Sequence, residues 1–203
     1  IIGGGGLLVG VLGFLAACAD QVSEQESSGV QVPVFEVNPL WPKPLPNHWV
    51  IGSTIGVSVD SRDHVFVIHR QASIDANTEL NVLHEPASAE CCAPAPPVLE
   101  FDPEGNLVGW WGGPGDGYDW PSSNHGITVD HLDNVWIGGN GPDDGHILKF
   151  TRDGNFLLQL GRPGVGTGSN DPENFGRVAE VSIDLGGDEV FVADGYLNRR
   201  VAV

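Results

Sequence analysis

The chain has 203 residues and a formal net charge of −18, set by 27 acidic against 9 basic side chains, two of them lysine. A phosphate-backbone partner needs clustered Lys and Arg, so nucleic acid is not expected, and the acidity reads as solubility or a salty habitat. The length suits one domain with a sizeable core or part of a longer repeat array. The lack of methionine, with an end inside the apolar alternation Arg199–Val203, favours the second.

Residues 1–19, IIGGGGLLVGVLGFLAACA, carry no charge and read either as a membrane span or as the apolar region of a secretion signal. Six glycines make the stretch a poor permanent helix. Leu15-Ala-Ala-Cys18 resembles the lipobox of bacterial lipoproteins, in which the cysteine is lipidated after cleavage. That implies a signal segment over 1–18, a lipid anchor at Cys18, and an exported protein held to a membrane in the periplasm or at the cell surface. The other reading is an ordinary signal peptide with an incidental cysteine. Residues 19–34 are polar and low in aromatics, as in a flexible tether. With Cys18 lipidated, the adjacent pair Cys91-Cys92 remains in an oxidising setting, where a vicinal disulfide stiffens a loop. A redox switch or a soft-metal site is the functional alternative for that pair.

Residues 35–56 form a lead-in whose segment Asn38–Asn47 holds four prolines and is therefore extended, with Trp41 free to pack against the strands beyond it. From Val57 to Val203 the chain alternates short strands and turns. The hairpin Asn124–Ile137 places apolar residues around an Asp130 to Asn134 turn, and the same phrase recurs at Val57–Val67 and Val181–Val192. A second hairpin comes after each of the first two, at Pro97–Trp110 and His146–Gln159, with turns at Gly105-Asn106 and Asp153-Gly154. Hairpin plus hairpin makes a four-stranded blade, and blades repeated at this length predict an all-β fold, a β-propeller of two blades and the first part of a third. Closed propellers have ~4 to 8 blades, so the rest of the ring is expected beyond Val203. Residues 71–96 and 111–124 form longer loops. Gly161–Ser169 is glycine-rich but lacks the Gly-Lys-Ser/Thr ending of a phosphate loop. Any chemistry must come from side chains scattered among the blades.

Three stretches carry a more specific resemblance: Val57 through His69-Arg70, Asn124-His125-Gly126-Ile127 through Asp130 with Trp136, and Val192-Ala-Asp194-Gly195-Tyr196-Leu197-Asn198-Arg199. Together they resemble NHL repeats and, within that group, the lyase domain of peptidylglycine α-amidating enzymes, a six-bladed propeller. The resemblance implies that Arg70 holds a small-molecule or peptide substrate, that His125 is one of three zinc ligands, and that Tyr196 is the base. It also implies a structural calcium held partly by the backbone carbonyls of Val57 and Ile127, and two further zinc ligands past Val203. A cysteine pair that staples animal lyases falls here at Gly176 and Leu197, so that bridge is absent. The residue types suit the chemistry. A guanidinium grips a carboxylate through two bonds, imidazole is a good zinc ligand, and a cation nearby favours the phenolate. The plainer readings are an ion-paired Arg70, a His125 bonded to a carbonyl and a packed rim aromatic at Tyr196. In function, the two possibilities are a zinc-dependent lyase cleaving a carbinolamide-type C–N bond and a surface-tethered propeller that binds a ligand or protein without chemistry.

Overall fold

The computed structural model describes residues 32–74, 85–88, 91–164, 166–184, 186–187 and 189–203. The signal segment, the Cys18 anchor and most of the tether lie outside the described residues. The chain divides into two units, Ile1–Val37 and Asn38–Val203. Of the first, residues 32–37 are exposed and form neither strand nor helix. No helix among the described residues is long and apolar enough to cross a membrane.

In the second unit the recurring phrase folds as its turn chemistry requires. Asp60 Oδ1 accepts the backbone amides of Arg62 and His64, both at 2.8 Å, and Asp130 Oδ1 accepts those of Leu132 and Asn134 at 3.0 and 2.8 Å. Asp184 accepts the amides of Gly186 and Glu189, each at 3.2 Å. Asp63 and Asp133 adopt φ of 61° and 59°, a left-handed conformation that aspartate tolerates better than most residues. Each such aspartate ties up the donors of its turn and leaves the flanking apolar residues to pair as strands.

The strands are β1 (Trp49–Val50), β2 (Ser53–Val59), β3 (Val65–Arg70), β4 (Ala93–Pro94), β5 (Val98–Phe101), β6 (Leu107–Trp111), β7 (Asn124–Val129), β8 (Val135–Gly139), β9 (His146–Phe150), β10 (Phe156–Gly161), β11 (Glu180–Ile183), β12 (Val190–Asp194) and β13 (Arg200–Ala202). They form antiparallel sheets in the orders β2-β3-β5-β6, β7-β8-β9-β10 and β11-β12-β13, with a small parallel pair of β1 and β4. These are two four-stranded propeller blades and three strands of the next. One 3-10 turn, Gln71–Ser73, comes directly after β3. The first blade begins at Ser53, inside the stretch assigned to the lead-in, because Ser53 pairs with Arg70 and Thr54 with His69 across a bulge. Cys91 and Cys92 are disulfide-bonded directly before β4.

Alternation along the middle strands sends neighbouring side chains into different cores. Phe66 and Ile68 of β3 join Val98, Ile127, Val135, Ile137, Leu148 and Phe150 in the core between the first two blades. Val67, between them, faces the other way with Leu99 and Phe101, against Trp41, Leu45 and Trp49 of the lead-in. In the second blade Trp136 and Ile147 point into the next seam with Val178, Val181 and Val192. A middle strand buried on both faces therefore reads as an unbroken apolar run, as VFVI does in β3.

Arg152, from the turn between β9 and β10, reaches back across the first seam. Its guanidinium contacts the carboxylates of Asp60 and Glu100, and Ser61 Oγ donates to Asp133 Oδ2 at 3.2 Å beside it. The lead-in is held as tightly. Trp41 packs on Phe101 with ring centroids 5.7 Å apart, and the Lys43 amide donates to Gly105 O at 2.9 Å.

Gly105 has φ of 81°, and a Cβ there would lie 2.7 Å from Trp41 Cδ1. Gly105→Ala combines backbone strain with a displaced indole, and we expect a loss of more than ~1 kcal/mol, read as a drop of roughly 2–4 °C or more in the thermal midpoint. An unchanged midpoint would show that Trp41 is not fixed against this turn.

Candidate active site

The three residues singled out by their motifs lie at one end of the strands, away from the aspartate turns. Arg70 ends β3, His125 is the second residue of β7, and Tyr196 lies just past β12. His125 is placed there by a bulge, since the pairing of β7 with β8 shifts between His125 and Ile127. Gly126, at the shift, has φ of 74°, and a Cβ on it would meet Ala179 O at 3.0 Å, so glycine is needed twice over.

The bulge lets the imidazole cross the seam to the next blade. His125 Nδ1 lies 2.9 Å from Ala179 O, and Nε2 lies 2.9 Å from the Tyr196 hydroxyl. A carbonyl only accepts, so Nδ1 carries the proton and the Nε2 lone pair faces Tyr196. The rings meet edge to face, with centroids 5.3 Å apart. Tyr196 is half exposed, and its turn is fixed from beneath by the fully buried Asp194. That carboxylate accepts from the Gly176 amide at 2.6 Å, Asn198 Nδ2 at 2.7 Å and Arg200 Nε at 2.8 Å. The two positions of the absent staple still meet, because the Leu197 amide donates to Gly176 O at 2.9 Å. Asn198 fills the space above Gly176, where a Cβ would stand 2.6 Å from its Cγ.

Arg70 joins this group through the backbone next to His125. Its Nε donates to Asn124 O at 3.2 Å, and Nη2 donates to Asn140 Oδ1 at 2.9 Å. Both partners are neutral, so among the described residues Arg70 is not ion-paired. Asn124 Nδ2 in turn donates to His69 O at 3.0 Å, tying β7 to the end of β3. Beside Arg70 opens a cavity of about 380 Å³, bordered by Gln71, Ser73, Trp120, Ser122 and Ser123. The sequence reading missed Asn140 and Ser123. They sit in turn segments without periodicity, and the one available signal was that Asn140 occupies the place in the second repeat that Arg70 holds in the first.

His69, fully buried next to Arg70, accepts from the Gly52 amide at Nδ1 (3.1 Å), and its Nε2 donates to Pro96 O at 3.0 Å. Burial pushes its pKa down, and the ring stays neutral.

Of the calcium candidates, Val57 is exposed at its side chain and Ile127 is buried in the core. They lie on the adjoining strands β2 and β7, close enough that a Cβ on Gly56 would stand 3.1 Å from the Ile127 amide nitrogen. A different group of possible metal donors, Asp60, His64 and Glu100, converges at the opposite ends of the strands with ligand atoms within 4.8 Å of one another. The Arg152 guanidinium already supplies positive charge there, and His64 Nδ1 bonds Glu100 Oε1 at 2.6 Å.

Known proteins share stretches of this sequence. The chain is 30% identical over 177 residues to NHL repeat-containing protein 3 of Mus musculus, covering 83% of this chain and 42% of the relative. It is 28% identical over 177 residues to peptidyl-alpha-hydroxyglycine alpha-amidating lyase 1 of Drosophila melanogaster, covering 79% and 28% respectively. The chain thus spans less than half the length of these curated relatives. A solved gluconolactonase from Xanthomonas campestris aligns with a TM-score of 0.41 and 14% identity over 71% of this chain and 36% of that one. No protein-family profile matches the chain.

The depressed His69 pKa yields a pH dependence. The unfolded chain takes up this proton first, so stability is complete above the ordinary histidine pKa of about 6.5 and falls as pH drops below it. His69→Gln, whose amide can serve both hydrogen bonds, should flatten part of the decline in urea-unfolding stability between about pH 7.5 and 5.5. An unaltered slope would contradict a neutral buried His69. By its repeats, its blades and these relatives, the chain is similar to the NHL-repeat β-propellers.

Proposed function

We propose that this propeller is a zinc-dependent lyase of the amidating type, cleaving the C–N bond of an α-hydroxyglycine-like carbinolamide. The observation that carries the reading is the His125–Tyr196 contact between successive blades, with the imidazole tautomer fixed by Ala179 O. An imidazole that donates Nδ1–H to a backbone carbonyl and keeps its Nε2 lone pair for the group opposite, here the Tyr196 hydroxyl, has the arrangement of a metal-ligating histidine. The donor set therefore fits zinc at His125, which would need further ligands from the rest of the ring. Bound there, zinc would act as a Lewis acid on the carbinol oxygen.

The chain's own side chains divide the remaining work. Arg70, held by neutral acceptors, binds the substrate carboxylate and fixes its orientation. Tyr196 is the base that takes the carbinol hydroxyl proton. The oxygen electrons then form the carbonyl, the C–N bond breaks, and the departing amide nitrogen receives the proton that Tyr196 took. The products are a terminal amide and an aldehyde acid. Backbone carbonyls at Val57 and Ile127 are the proposed share of a structural calcium site, and Cys18 the proposed membrane anchor of an exported lipoprotein. The second reading, a propeller that binds a ligand or protein without chemistry, draws on the 30% identity to NHL repeat-containing protein 3.

In the full-length protein, zinc should survive dialysis, and His125→Ala should lower the metal content. Tyr196→Phe should keep zinc yet slow turnover of an N-benzoyl-α-hydroxyglycine substrate by roughly 10²–10⁴-fold, the usual weight of general acid–base catalysis. Folded, metal-free wild-type protein that gains no activity from added zinc would leave the binding propeller standing.

A further inference from the structure

We infer that Asn140 is a positioning residue that holds the Arg70 guanidinium without neutralising it, and so makes the adjoining cavity a site for the carboxylate of a substrate. The inference rests on the lyase reading for the identity of that substrate, but the anion site stands on its own contacts.

The geometry is a two-point clamp. Arg70 Nε bonds Asn124 O and Nη2 bonds Asn140 Oδ1, which leaves both Nη1 hydrogens and one on Nη2 without a protein partner among the described residues. Asn140 is itself held from both sides. Its Oδ1 also accepts from Ser123 Oγ at 2.9 Å, and its backbone N–H donates to Ser123 O at 2.9 Å. Ser123 is fixed in turn by Asp144, which is 2% exposed and accepts the amides of Ser122, Ser123 and Gly141 at 2.8, 3.0 and 2.7 Å. The planar fork of Arg70 is thus held at two points beside its cavity.

Charge is the second part. The chain carries 27 carboxylates against 9 basic side chains, and Arg62, Arg152, Arg162 and Arg200 each pair with at least one of them. Arg70 is half-buried and, like Arg177 and Arg199, has no ion pair among the described residues; what sets it apart is that its acceptors are an amide oxygen and a main-chain carbonyl beside a cavity. Among those residues, no carboxylate borders the 380 Å³ cavity beside it. An aspartate at position 140 would bond Arg70 more strongly than asparagine does, but it would cancel the charge that a substrate carboxylate must meet. The amide gives the geometry and keeps the charge.

The test compares Asn140→Asp with Asn140→Ala in the full-length protein, using N-acetylglycine as a carboxylate probe in calorimetry and the KM of the α-hydroxyglycine substrate alongside. A merely structural asparagine predicts that the alanine variant is the more damaged, because aspartate retains both hydrogen bonds. A charge-preserving clamp predicts the reverse order: roughly tenfold or greater loss of probe affinity and rise in KM for Asn140→Asp, a smaller change for Asn140→Ala, and an unaltered thermal midpoint for the aspartate variant. The same or tighter probe binding in Asn140→Asp overturns the proposal, as does a wild-type protein that turns over substrate yet does not bind N-acetylglycine. Probe binding with the predicted order in a protein that holds no zinc would sink the lyase reading and leave the anion site intact.

Discussion

The structure depends on the two-faced burial of the middle strands. A blade has no core of its own; β3 and β8 present alternate residues to different seams, and each seam closes only when the next blade arrives. Burial of Phe66, Ile68, Ile137 and Phe150, all at or near zero exposure, fixes the spacing of the blades. Everything at the strand ends inherits that spacing, because Arg70 and His125 are paired in ladders that cannot slip without turning their apolar side chains to water, and Tyr196 lies two residues past another such ladder.

The same seams are pinned by polar contacts at both ends. At the turn end, Arg152 joins two carboxylates of the preceding blade, an arrangement that would be costly to leave half-made in a partly buried setting. Burial raises the Glu100 pKa, while the His64 hydrogen bond draws it down. At the site end, among the described residues, the links are single hydrogen bonds without an ion pair, among them an imidazole to a carbonyl, a phenol to an imidazole, a guanidinium to an amide and to a main-chain carbonyl, and the buried Asn124 amide to His69 O. Rigidity thus sits at one end of the strands and reactive groups at the other.

Much of this could be read in the sequence, for identifiable reasons. The phrase Val/Ile-x-Val/Ile-Asp announces hairpins because the aspartate must satisfy its own turn, and it does so at Asp60, Asp130 and Asp184. Arg70, His125 and Tyr196 stood out through short local motifs. What stayed hidden closes over long separations. Arg152 meets Asp60 92 residues away, and Asn140 meets Arg70 70 residues away, so no window of periodicity contains either pair. The start of β2 was misplaced for a local reason, since the bulge at Thr54 and Gly56 breaks the alternation by which a strand is recognised.

The contacts across the seams have one further property. Aligned on their aspartates, the repeats place Asn140 where Arg70 stands and Ala179 where His125 stands, and each of these pairs is a bonded pair. Counterparts touch counterparts because every blade repeats the same backbone beside its neighbour. A ring of this kind converts one inherited position into a circle of neighbouring side chains whose identities are free to diverge. Chemistry can then be acquired or abandoned by exchanging single residues, with no loop inserted and no strand moved, which gives duplicated blades an easy route from a uniform scaffold to a heterogeneous site.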